Sequence, residues 1–163
     1  MLFRSGRYPE AARLKDERGR TMLIKQLSVF IENKKGRLST VTGLLRDHHI
    51  DIRALSVADT KDFGIVRLIV TDTDKAFEVL KDANCMLKVS HVIGIGVADQ
   101  PGGLATVMDM LREGGITVEY MYAYVSRVAD TAFVILRADD NQKAAELLQA
   151  KGVQLLSSAD VCG

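Results

Sequence analysis

The chain has 163 residues, 47% hydrophobic and 26% charged, a mix that fits a soluble globular protein of one medium or two small domains and excludes a mainly disordered one. Its formal net charge of +1, without a block of like charges, argues against nucleic acid or an acidic membrane surface as a partner. Cys85 and Cys162 stand far apart without companion ligands, which gives no zinc site or disulfide framework and fits a reducing, cytoplasmic compartment; no apolar run reaches the roughly 20 residues of a membrane span.

Residues 1–21 differ from the rest. The first twenty carry six basic and three acidic side chains, and a second methionine, Met22, stands directly before the first strand pattern. This segment is expected to be a disordered or non-native extension. From Met22 onward one unit is written twice. "ENKKGRLSTVTGLLRDHHIDI" from Glu32 aligns with "ADQPGGLATVMDMLREGGITV" from Ala98 at a constant offset, which pairs Gly36 with Gly102, Leu38 with Leu104 and Leu45 with Leu111. "GIVRLIVTDTDKAFEVL" from Gly64 aligns with "AFVILRADDNQKAAELL" from Ala132. The expected units are 22–91 and 92–163.

Within each unit the elements follow in the same order. Leu27, Val29 and Ile31, and then Ile93, Ile95 and Val97, alternate with their neighbours as half-buried strands do. Leu38, Val41, Leu44 and Leu45 form one helical stripe, and Leu104, Val107, Met108 and Leu111 form the other. Gly114 and Gly115 close the second of these helices, and His48 and His49 take their places in the first. Two strands follow, then a helix that Asp72 or Asp140 is placed to cap, then a short strand in "MLKV" or "VQLL". The order is βαββαβ, twice: an α+β fold of antiparallel sheet with helices on one face. A unit of about seventy residues is small for a solitary core, so the copies are expected to support each other.

The stretch "VADQPGGLATVMDML" raises the question of a phosphate loop. "GIGVAD" puts Asp99 where a dinucleotide fingerprint needs its third glycine, and no Gly-Lys-Ser or Gly-Lys-Thr exists, so both nucleotide readings fail. What remains is a helix start whose first N–H groups lack partners and attract an anion such as a carboxylate. The plain alternative is that Gly36, Gly102 and Gly103 only make a tight turn. A carboxylate at such a helix start contributes about 0.3 to 1 kcal/mol, up to about 2 when partly buried, whereas micromolar binding takes about 8 kcal/mol. A ligand therefore needs a second wall, and the loop before the second strand of the opposite unit, with Asp51 or Thr117, would meet an ammonium group. A free amino acid suits both halves.

These stretches resemble the ACT domain, the small-molecule regulatory module of many enzymes of amino-acid metabolism. The likeness covers about Met22 to Val161, and "ITVEYMYAYV" is similar to stand-alone tandem ACT proteins of bacteria. The resemblance implies two ferredoxin-like units paired into a continuous sheet, with no catalytic residue, no cofactor and no metal. It also implies a homodimer, an enzyme of amino-acid metabolism as partner, and amino-acid contacts from Asn33, Gly36, Arg37 and Leu38 with Asp51 and Ile52. In the second copy the corresponding contacts are Asp99, Gly102, Gly103 and Leu104 with Thr117 and Val118. The first loop departs from the family pattern, because Lys35 replaces the proline and His48 and His49 replace the glycines.

Tyr120, Tyr122 and Tyr124 share one face of a strand, opposite in kind to the small Ala54, Ser56 and Ala58 of the first copy, and suit packing between sheets or subunits, or a ligand lid. His48, His49 and His91 lack metal-site spacing. No serine, cysteine or threonine sits with a base in a readable constellation, and no RNA-binding aromatic motif is present. The expectation is a non-catalytic sensor of a free amino acid bound at the interface between the two units; the alternative is a ligand-free oligomerisation or adaptor module acting on a metabolic enzyme.

Overall fold

The computed structural model describes residues 14–59, 62–124 and 128–162. In chain order the elements are β1 (Leu23–Glu32), α1 (Arg37–Asp47), β2 (Ile52–Asp59), β3 (Phe63–Val70), α2 (Thr73–Asp82) and β4 (Met86–Ala98). They continue with α3 (Gly103–Glu113), β5 (Val118–Tyr124), β6 (Thr131–Ala138), α4 (Asn141–Ala150), β7 (Gln154–Leu156) and α5 (Ser158–Cys162). The fold is the expected pair of ferredoxin-like βαββαβ units. One antiparallel sheet runs β2-β3-β1-β4-β6-β5, and β7 also pairs with β4.

The units join through a shared strand. Met86 to Ile93 of β4 pair with β1 and close the first unit, while Ile93 to Ala98 pair with β6, and Gly94 to Gly96 with β7, to open the second. The boundary expected between residues 91 and 92 therefore falls inside β4. The alternation of Leu87, Val89, Ile93, Ile95 and Val97 continues across it without a proline or turn residue, so nothing in the sequence ends the strand.

Alternation sorts the side chains onto two faces. On the helix-bearing face, Val41 and Leu45 of α1 and Ala76 and Leu80 of α2 pack on Leu27, Val29, Val66 and Leu68. In the second unit Val107 and Leu111 of α3 and Ala144, Ala145 and Leu148 of α4 pack on Ile93, Ile95, Val134 and Leu136. Asp72 and Asp140 cap α2 and α4, each accepting a hydrogen bond from the backbone N–H three residues on, of Lys75 at 3.0 Å and Lys143 at 2.9 Å.

The opposite face is closed by the sheet itself together with α5, whose Val161 is fully buried there. β1 and β5 have two strands between them, a span of about 14 Å in a flat sheet, yet the Gln26 side chain of β1 donates to Tyr120 Oη and accepts from Tyr122 Oη, both at 2.7 Å. That contact requires the sheet to curl. Ile24, Ile69, Val92, Phe133, Ile135 and Leu156 fill the space enclosed, with the three tyrosines against them. The tyrosine row packs between the two halves of the sheet, and Ala54, small and buried, leaves it room.

The expectation that 1–21 is a disordered extension needs correcting for 14–21; residues 1–13 lie outside the described residues. Leu14 is buried in the second unit's core, and Lys15 bridges Thr21 across a turn. Asp16 holds that turn by accepting from the Arg20 side chain, which also reaches Asp160 of α5. The folded chain thus includes this segment as a strap over its C-terminal helix. α5 itself carries no periodic signature long enough to read.

Candidate functional site

Gly36 and Gly102 stand at equivalent places before α1 and α3, with φ of 84° and 86°, and neither helix start has a side-chain cap. A left-handed residue at this point turns the chain from strand into helix within a few residues and leaves N–H groups of the first turn facing outward. Gly103 is required for a different reason: a Cβ there would overlap the Ala98 carbonyl oxygen.

The surroundings of the two turns differ. Beside the second lies a groove of about 560 Å³, walled on one side by Gly102, Gly103, Thr106 and Met110 of α3 and its approach. The other wall is the turn from α4 into β7, Lys151 to Gln154, and Gly96, Val97 and Thr131 form the floor. Among these the one ionised side chain is Lys151, whose Nζ is 3.4 Å from Glu113. At the first turn Arg37 stands where the second has Gly103. Its guanidinium is 3.7 Å from Glu32, which also pairs with Lys34 at 2.7 Å. Burial pushes the Cys85 thiol up in pKa, and the nearby Arg37 charge opposes this. Arginine thus lies toward the residue, Cys85, that corresponds to Val153 of the groove.

The structure gathers some of the expected contact residues and separates others. Gly102 and Gly103 line the groove directly; Asp99 and Leu104 adjoin it, the former exposed and the latter packed against the second core. Asn33, Gly36, Arg37 and Leu38 are exposed at the first turn. Asp51, Ile52, Thr117 and Val118 do not line the groove. Each pair is tied within its own unit: Asp51 N–H donates to Thr71 Oγ1 at 3.1 Å and Thr117 N–H to Asp139 Oδ1 at 3.1 Å. Ile52 packs on the first core and Val118 on the second. The second wall of this groove is the unit's own α4–β7 turn, not a loop of the opposite unit. Sequence reasoning missed Lys151, Val153 and Gln154. The βαββαβ order does carry a signal for them, since the fourth strand runs antiparallel to the first and begins beside its end, as Gln154 does opposite Gly96.

Residues 22–162 match the family model for the ACT domain pair. A crystal structure of a Bacteroides thetaiotaomicron protein is similar at a TM-score of 0.82 and 41% identity, over 86% of this chain and 96% of that one. The ligand-free regulatory subunit of aspartate kinase from Thermus thermophilus shares the fold, with a TM-score of 0.59 and 15% identity over 80% of this chain and 94% of that one. A protein described as a probable acetolactate synthase small subunit, from Archaeoglobus fulgidus, is 28% identical over 143 residues, 80% of this chain and 89% of the relative.

Proposed function

Since the chain belongs to the ACT domain pair family, we propose that it is a non-catalytic regulatory protein that binds a free amino acid at the groove beside Gly102. The observation that carries this reading is the groove itself: uncapped backbone at the start of α3, Lys151 paired with Glu113 at the far end of that helix, and an apolar wall of Val107, Met110 and Val153. Such a mix of few polar groups on an apolar lining is what a small-molecule site offers. Gly102 and Gly103 line the site in this reading, and Asp99 and Leu104 stand beside them outside the lining. The ligand's differential contact with an open and a closed position of the loop before α3 would bias a partner surface. An enzyme of amino-acid metabolism as that partner is supported by the descriptions of two relatives, a regulatory subunit of aspartate kinase and a probable acetolactate synthase small subunit. A homodimer belongs to the same reading, and with the tyrosine row taken up inside the chain it has to use another surface.

Thermal melts of the full chain against each of the twenty amino acids test it. A ligand at a hundred times its dissociation constant adds about 2.7 kcal/mol of stability, so at least one amino acid should raise the melting temperature by several degrees. Thr106→Trp, at an exposed position on the groove wall, should abolish that rise and leave the unliganded melt nearly unchanged. No shift with any of the twenty would overturn the sensor reading in favour of a ligand-free adaptor.

A further inference from the structure

Resting on the reading of the groove as an amino-acid site, we infer that it selects by charge: it accepts amino acids whose side chains carry no positive charge and excludes lysine and arginine. Among the described residues no aspartate or glutamate lines the groove, and the one charged lining side chain, Lys151, is a cation. The carboxylates nearest in the chain, Asp99, Asp109 and Asp130, are exposed and flank the lining without joining it. Glu113 is engaged with Lys151 on the rim.

A zwitterion entering this space finds a cation for its carboxylate and apolar surface on Val107, Met110 and Val153 for its side chain. A second ammonium or a guanidinium, by contrast, would leave water for a groove whose described lining offers no carboxylate and whose nearest acid, Glu113 on the rim, is already paired with Lys151. The remaining polar lining groups, the Gln100 and Gln154 amides and the Thr106 and Thr131 hydroxyls, are neutral. Neutral dipoles compensate a desolvated cation poorly, because a buried charge requires an opposite charge or a full set of hydrogen bonds. Discrimination of this kind arises from the unfavourable element as much as from the attractive one.

Gln154 provides the handle for a test. Its carboxamide covers Gly96 so closely that a Cβ on that glycine would lie 2.8 Å from Gln154 Oε1, and the residue is exposed at the start of β7. Gln154→Glu therefore sets a carboxylate over the groove floor with no change in side-chain length. Thr106→Glu does the same from the α3 wall.

The measurement is titration calorimetry of the full-length chain with methionine, glutamine, lysine and arginine. Methionine and lysine have similar length and differ in terminal charge. The expected result is methionine or glutamine binding at least tenfold tighter than lysine and arginine. Gln154→Glu or Thr106→Glu should then shift the methionine-to-lysine ratio tenfold or more toward lysine. Wild-type protein that takes lysine or arginine as tightly as the neutral pair would overturn the inference and leave the amino-acid site intact. So would a neutral preference unmoved in both folded variants. If none of the twenty amino acids binds, the ligand reading falls, and this inference falls with it.

Discussion

At the scale of single residues, the two copies show one backbone written with different side chains. Each unit leaves its first helix through a left-handed residue and leaves its second helix the same way. In the second unit these are Gly115 and Gly152, with φ of 68° and 82°; in the first they are His49 and Asn84, with φ of 56° and 61°. The fold sets the dihedral and the side chain accepts it, because the His49 N–H must still donate to the Arg46 carbonyl to finish the helix. Asparagine tolerates this conformation through its short polar side chain, but histidine gains little there. Relief of the steric cost is partly offset by the extra freedom glycine gains in the unfolded chain. His49→Gly should therefore stabilise the protein by about 0.5 to 1 kcal/mol, read as a higher urea midpoint with an unchanged slope. A lower midpoint would mean that the exposed imidazole contributes something the backbone argument omits.

At the scale of elements, the start of the second helix in each unit rests on one aspartate. Asp72 and Asp140 have extended backbone, and each accepts a hydrogen bond from the N–H three residues on. Asp72→Ala and Asp140→Ala should each cost about 1 kcal/mol. Since the two caps serve different helices, the double variant should lose the sum in equilibrium unfolding. These caps, the helical stripes and the strand alternation were all legible in the sequence, because each is set by side chains within one turn or one pleat. The fusion of two expected strands into β4 was hidden, since the repeat sets a boundary at His91, where a polar residue interrupts the apolar alternation, while no proline or turn ends the strand there. The groove was half legible. Gly102 and Gly103 advertise a turn, but its other wall, Lys151 to Gln154, comes from the far end of the unit and reaches it through strand pairing alone. Periodicity reports what lies along an element, and a site built across two elements needs the topology as well.

At the scale of the whole molecule, the curl of the sheet depends on a polar clasp inside an apolar space. Gln26 is fully buried, and its amide meets Tyr120 and Tyr122 with Ser90 Oγ 3.4 Å away, while the Arg67 guanidinium lies 3.7 Å over the Tyr120 ring. The clasp joins β1 and β3 of the first unit to β5 of the second, so it holds both units in one body. Replacing Tyr122 by phenylalanine removes the donor to Gln26 Oε1 and leaves that oxygen buried without it, which should cost about 1 to 3 kcal/mol at neutral pH. The same phenol gives a signature in alkali. Burial, with Tyr120 beside it, holds the Tyr122 hydroxyl far above the ordinary tyrosine range, and the Arg67 charge opposes this only in part. The unfolded chain would release that proton near pH 10 while the folded chain still holds it. The folded state then binds more protons than the unfolded one, so this contribution is fully present below about pH 10 and is lost as pH rises beyond it. Unfolding free energy measured from pH 8 to 11.5 should therefore fall above pH 10 in the native sequence and fall less steeply in Tyr122→Phe. Equal slopes would show that the phenol is not sealed between the units, and the curled sheet would then need another fastening than this clasp.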